Sequence, residues 1–293
     1  MKISSFYEPD SGTWTHLLAD PIEKAAVIID PVWVFDPVSG CTDTSFIDEV
    51  LAESDRAGYS VKWVLETHAH ADHLTAADLV RQRTGAKTGC SRGICGVQKN
   101  FSRVFNMAQT PTDGSQFDRL LSEGDVLELG QLKIHVMETP GHTGDSITFL
   151  CGDAAFIGDT LFAPGFGTAR CDFPGGDAGQ LYDSIQRLYQ LPGETRLFLC
   201  HDYPKEGEKP VKEITVAQSQ QTNIHLQAKT ARPEFVSMRT NRDRQLGLPR
   251  LILPSLQVNI RAGVAPETDT NGVSYLRTPF NRSLAELIKG DLQ

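Results

Sequence analysis

With 293 residues and a net charge of −9, the chain has the size of one large domain and the wrong sign for nucleic acid or an anionic lipid surface. Hydrophobic residues at 40% and charged residues at 22% are ordinary globular proportions, and no apolar run is long enough to span a bilayer. The opening MKISSFYEPDSG has no apolar stretch of the kind that directs export, so the expected location is cytoplasmic and the six cysteines are expected as thiols.

In chain order, TWTHLLAD and KAAVIIDPVWVFD read as strands, and the run Val27, Ile28, Ile29 predicts a strand buried on both faces. TSFIDEVLAESDRAGY predicts a helix with Phe46, Val50 and Leu51 on its apolar face and Gly58 at its end. VKWVLETHAHADH predicts a strand running into a loop. TAADLVRQRTGA predicts a helix capped by Thr75 and stopped by Gly85. Residues 124–162 return to strands punctuated by Gly and Asp. GQLYDSIQRLYQLPG predicts a helix, RLFLCHDY a buried strand and VKEITVAQSQQTNIHLQAKT a further helix. Beyond Ala231 the chain is rich in Arg, Pro and Asn. The expected organisation is a catalytic unit over residues 1–230, with residues 231–293 as an extension packed on it. Strands in blocks with helices between them fit two packed sheets with helices outside.

Five of the 8 histidines fall where an apolar run surfaces into a loop. His68 and His70 alternate at the end of one run, which sends both side chains to the same side, and Asp72 and His73 follow. Three other runs end in His142, Asp159 and His201. Loops at strand ends are where rigid scaffolds place reactive groups. Imidazoles and carboxylates gathered this way point to a metal centre. His16, His135 and His225 fall outside the pattern and read as structural. Cys90 and Cys95 are spaced too widely for a zinc knuckle and read as loop or core residues.

THAHADH, PGHT, GDTLF and CHDY, in this order and spacing over roughly residues 1 to 205, resemble the metallo-β-lactamase superfamily. The resemblance implies an αββα sandwich with metal at one edge. In dinuclear members His68, His70 and His142 would hold one ion and Asp72, His73 and His201 the other, with Asp159 bridging. Charge argues against a nuclease, the lack of a flavin domain against a flavodiiron protein, and the lack of an export signal against a lactamase. Two branches remain: glyoxalase II-like hydrolases of glutathione thioesters, and persulfide dioxygenases. GDTLFAPGFGTARCDFPGGDAGQLYDSI and the tail LPRLILPSLQVNIRAG resemble the dioxygenases. The loop after Asp159 is about two residues longer than in most of them, and Cys171 stands where they have threonine, which suggests the bacterial type II subgroup.

That branch implies one Fe(II) per chain on His68, His142 and Asp159, two imidazoles and a carboxylate that leave positions open for both reactants. It implies oxidation of glutathione persulfide by O2 and water to sulfite and glutathione, a step of sulfide oxidation. His70, Asp72, His73 and His201 then hydrogen-bond ligands or water, or hold a second ion. Glutathione is anionic. Arg170 aligns with the arginine of the family's GRTDF and is expected to bind a substrate carboxylate, its alternative being a salt bridge to Asp172. Tyr203 is expected at the substrate, and Arg250, Asn259 and Arg261 along the glutathione cleft. A homodimer is left open.

Overall fold

The computed structural model describes residues 1–289. The first half of the chain builds a six-stranded sheet. Its strands are β1 (Lys2–Glu8), β2 (Thr13–Asp20), β3 (Ala25–Ile29), β6 (Ser60–Leu65), β8 (Lys87–Ser91) and β9 (Arg119–Leu121), in that spatial order. β4 (Val32–Asp36), β5 (Cys41–Asp43) and β7 (Leu74–Thr75) form a small separate sheet. β10 (Val126–Leu129), β11 (Leu132–Glu138), β12 (Ile147–Cys151), β13 (Ala154–Phe156), β14 (Arg196–Phe198) and β15 (Glu213–Thr215) make a second six-stranded sheet in chain order.

Alternation explains how the layers stack. Leu18, Val27 and Ile29 point inward to meet Ile134, Val136, Phe149 and Phe156 of the facing sheet. Their neighbours Leu17, Ala26 and Ile28 point outward, under α1 (Ser45–Arg56) and α2 (Ala77–Thr84). On the far side, Ala155, Leu197 and Ile214 pack under Leu181, Ile185 and Leu188 of α4 (Ala178–Leu188). Two sheets between two helical layers give the αββα sandwich of the metallo-β-lactamase fold.

Several local readings change. In α1 the buried face is Ile47, Val50 and Ser54, while Phe46 and Leu51 are only partly covered. α2 has Ala76 at its N-cap, although Thr75 Oγ1 still accepts the Ala77 N–H at 3.0 Å. The expected helix from residue 211 begins as β15, and α5 (Val216–Thr222) starts only after Thr215, whose hydroxyl accepts the Gln218 N–H. β-branched Ile214 and Thr215 favour the pleated edge. α3 (Ile94–Val104) has no counterpart in the sequence reading.

After residue 230 come α6 (Arg232–Asp243), α7 (Ile252–Asn259) and α8 (Leu284–Lys289). Phe235 of α6 joins the α4 core, and α7 and α8 pack with α3 through Ile252, Leu256, Leu284 and Phe101. Among the described residues no helix is long and apolar enough to cross a membrane.

Candidate metal centre

β6 ends at Leu65, so His68 and His70 lie in the loop beyond it rather than in alternating strand positions. Their rings still neighbour each other, with centroids 4.1 Å apart. This loop is tied down through its backbone. Asp30 Oδ1 accepts the Thr67 N–H at 2.7 Å, and Asp30 Oδ2 accepts the Thr67 hydroxyl at 2.9 Å. Asp145 Oδ2 accepts the Ala69 N–H at 2.8 Å. Asn259 Nδ2 donates to the carbonyls of His70 and His73, each at 2.8 Å, and Asn259 Oδ1 accepts the Thr75 N–H at 2.8 Å.

Hydrogen bonding settles the tautomers of two histidines. His142 Nδ1 lies 2.7 Å from the Arg170 carbonyl, which can only accept, so Nδ1 carries the proton and Nε2 is bare. His68 Nδ1 lies 3.0 Å from Thr67 Oγ1, whose own hydrogen goes to Asp30, so here too Nε2 is bare. Two glycines make the approach of the loops feasible. A Cβ on Gly141 (φ +142°) would lie 2.3 Å from the Leu181 backbone, and one on Gly158 (φ +51°) 2.7 Å from Thr67 Oγ1. Gly158 opens the short 3₁₀ turn, Gly158–Thr160, that presents Asp159.

His68 Nε2 and His142 Nε2 lie 4.0 and 3.6 Å from Asp159 Oδ2. His201 Nε2 lies 3.4 Å from Asp159 Oδ1 and 3.3 Å from Asp72 Oδ2. Donor atoms about 2.1 Å from one ion and 90–110° apart stand roughly 3.0–3.4 Å from each other. Donor atoms of His68, His142 and Asp159 all lie within 4.8 Å of one another, as do those of His70, Asp72, His73 and His201. Asp159 Oδ1, His70 Nδ1, His73 Nε2 and His201 Nε2 are buried and have no hydrogen-bond partner. Buried polar atoms are normally satisfied, so this concentration of bare donors is what a cation would complete. The residues fit a metal.

The charges around the site are strongly perturbed. Burial holds the His68 imidazole well below its usual range, and the neighbouring His70 and His142 push the same way. For His201 burial also opposes the charged form, but Asp159 and Asp72 together outweigh it and raise it well above the usual value. Burial tends to neutralise Asp72, yet His201 and His73 hold its carboxyl well below the usual range. His70 Nε2 sits 3.0 Å from Asp30 Oδ1 and 3.3 Å from Glu66 Oε2. Asp30 and Glu66 escaped the sequence reading. The signals were present: an aspartate ends the buried run AAVIID, and a glutamate stands two residues before the first histidine of the cluster.

The expected substrate residues separate. Arg170 turns to Asp172, with Nε–Oδ1 at 2.6 Å and Nη2–Oδ2 at 2.8 Å, while Nη1 donates to the Gly247 carbonyl and the guanidinium covers the Phe173 ring. Asn259 is buried beneath the histidine loop, holding its backbone as described, so the cleft position expected for it is corrected to a support beneath the loop. A buried amide among backbone groups is satisfied by them first. Arg261 bonds the Gln257 carbonyl and lines a cavity of about 780 Å³ with Gln257 and Arg277. At 100° per residue, Arg261, one residue past the C-cap Ile260, continues the face of α7 that carries Gln257, and Asn259 projects from the other. Arg250 is exposed. Tyr203 is 48% exposed, and its ring lies parallel to that of His201 with centroids 6.0 Å apart. Cys171 is buried, its thiol pushed well above the usual range by burial and by the nearby Asp243, so it is no reactive thiolate.

A four-layer sandwich whose strand ends converge bare imidazoles and carboxylates at one edge defines a class of metal-binding proteins. The chain belongs to the metallo-beta-lactamase superfamily, whose family model matches residues 17–201. It is 46% identical over 279 residues to a beta-lactamase hydrolase-like protein of Agrobacterium fabrum, a match that spans 95% of this chain and only 64% of that relative's length. It is 39% identical to glyoxylase B2 of Dictyostelium discoideum, over 96% of this chain and 97% of the relative. It is 30% identical to the human mitochondrial persulfide dioxygenase ETHE1, over 91% and 90% of the two chains. Among solved structures it resembles ETHE1 from Myxococcus xanthus, with a TM-score of 0.73 and 32% identity over 90% of this chain and all of the other.

Proposed function

We propose that the protein is a persulfide dioxygenase that uses one Fe(II), held by His68, His142 and Asp159, to oxidise glutathione persulfide. The net reaction takes glutathione persulfide, O2 and water to glutathione, sulfite and two protons. The observation that carries this reading is the donor set itself. Two imidazoles with their Nδ1 protons engaged and Nε2 bare face one carboxylate, the two-histidine, one-carboxylate pattern of non-haem iron oxygenases. Likeness to the human persulfide dioxygenase over nine tenths of the chain supports it. When bound, iron(II) would activate O2 and offer a Lewis-acid site for sulfur, while the electrons that reduce O2 come from the outer sulfur of the persulfide.

The chain's own residues orient and shield. The Arg170 carbonyl and the Thr67 hydroxyl hold the two rings in their tautomers. Tyr203 stacks on His201, Phe162 meets that ring edge-on and Phe166 meets the Tyr203 ring edge-on, and in our reading Tyr203, half exposed there, meets the glutathione moiety. Purified protein given glutathione persulfide should consume O2 and produce sulfite, and should release little thiol from S-lactoylglutathione. Rapid thioester hydrolysis without O2 uptake would overturn the assignment.

A second reading rests on the other half of the site. Asp72, His73 and His201 present a further carboxylate and two buried, bare Nε2 atoms, which suits a dinuclear, glyoxalase II-like hydrolase of glutathione thioesters. Metal analysis separates the two: one iron per chain supports the dioxygenase, two ions the hydrolase.

A further inference from the structure

We propose that Arg239 and Asp243 are positioning residues: as a buried ion pair on α6 they brace residues 168–171, the segment whose Arg170 carbonyl holds the His142 ring at the metal centre. The proposal rests on His142 as a metal ligand and not on which reaction the centre performs. Residues 167–172 belong to no helix or strand, yet Thr168, Ala169 and Cys171 are buried. Buried backbone groups need partners, and here no neighbouring strand supplies them. Among the described residues the partners are side chains. The Thr168 N–H donates to His225 Nδ1 at 2.9 Å, the Thr168 carbonyl accepts Arg239 Nη1 at 3.1 Å, and the Cys171 N–H donates to Asp243 Oδ2 at 2.8 Å. Between the last two contacts the Arg170 carbonyl meets His142 Nδ1 at 2.7 Å.

Arg239 and Asp243 stand one helical turn apart on the same face of α6, and Arg239 Nε donates to Asp243 Oδ1 at 2.8 Å. One pair thus grips the segment on both sides of the Arg170 carbonyl. The two residues are 2% and 5% exposed. Taking two charges out of water costs about as much as their attraction returns, so such a pair is a weak source of stability. What it supplies here is direction. The edges of the guanidinium and the carboxylate not used within the pair turn to the backbone at 168 and 171. α6 lies beyond residues 17–201, the span that matches the superfamily, so this brace comes from the extension of this chain.

The test is Co(II) titration of the full chain after metal removal, read by visible absorption and by competition with a chelator, beside thermal unfolding of the same metal-free samples. His142→Ala sets the size of a complete loss at this ligand. The double variant Arg239→Met, Asp243→Leu replaces the ion pair by an apolar pair of similar size and should melt near wild type. Its Co(II) dissociation constant should nevertheless rise roughly 10- to 100-fold, as when a group that orients a metal ligand is lost. Arg239→Lys keeps the charge but not the planar fork that reaches Asp243 and Thr168 together, and should show a smaller rise. A folded double variant with wild-type Co(II) affinity overturns the brace, and so does an affinity that falls only in step with the melting temperature. If the double variant does not fold, wild-type affinity in Arg239→Lys overturns it instead. Unchanged Co(II) binding in His142→Ala is a different result: it removes His142 from the ligand set and so strikes the metal assignment on which the brace rests.

Discussion

His68 and His142 resemble each other in sequence context less than in what holds them. One ring is oriented by a threonine hydroxyl whose hydrogen is already committed, the other by a backbone carbonyl. In the proposed mononuclear centre they and Asp159 are the three ligands, with no spare member. His68→Ala, His142→Ala and Asp159→Ala should therefore each abolish iron binding and activity, whereas His73→Ala should keep most of its iron. Iron content by atomic absorption decides this, and equal loss in His73→Ala would rule out the mononuclear set. Arg170 belongs to the same scale. Its pairing with Asp172 satisfies three of its donors together with Gly247, which favours a strut over a carboxylate clamp. Arg170→Ala and Asp172→Ala should lower the melting temperature together, by the equivalent of on the order of 1 kcal/mol, and leave KM for glutathione persulfide alike. A rise in KM confined to Arg170→Ala would restore the clamp.

Among the elements, the loop after β6 and helix α7 act as one unit. Asn259 satisfies two carbonyls and one amide of a loop that carries four histidine and aspartate side chains of the site. Each buried group left without a partner costs about 1–3 kcal/mol. Asn259→Ala should thus lower unfolding free energy by roughly 3 kcal/mol, read by denaturant titration, and reduce metal content although Asn259 touches no metal donor atom. Stability within about 0.5 kcal/mol of wild type would show that water replaces the amide. Such a contact was invisible in the sequence, because it joins residues more than 180 positions apart and an asparagine near a helix end has many ordinary roles. α3 went unread for a related reason: its short stretch ICGVQKNFSRV has weak helix formers, and its helical state is stabilised by Ile94 and Phe101 packing on α7 and α8.

The sandwich as a whole carries a pH dependence away from the metal. His16 lies between the sheets, against the rings of Phe156 and Phe198. Its Nε2–H donates to the Leu199 carbonyl at 2.9 Å, and in the neutral ring its Nδ1 accepts the Ser5 hydroxyl at 2.9 Å. Burial pushes its pKa from 6.5 down to about 4, against the pull of the Leu199 carbonyl and Asp30. The unfolded chain takes up the proton below 6.5 and the folded one only near 4. The stabilisation is therefore complete above pH 6.5 and is lost as pH falls toward 4, at about 1.4 kcal/mol per pH unit for this one group. His225, half buried and likewise lowered to about 4, adds to the same window. Unfolding free energies measured from pH 7.5 to 4.5 should decline more steeply in wild type than in His16→Gln. Parallel curves would show that His16 does not bind its proton in this way.

What the sequence determined alone was the periodic and the clustered. Apolar runs of period two specify strands buried on one or both faces, and a motif as dense as THAHADH marks a metal-binding edge wherever the chain folds. The sandwich and the seven residues gathered at its edge follow from those short-range patterns. The tertiary structure decided which way each group is turned. Whether Asn259 faces a cleft or a backbone, and where the ring protons of His16 and His142 reside, depend on partners brought from far along the chain. Those partners are single atoms, a carbonyl at 170 or a carbonyl at 199, and no local periodicity encodes them.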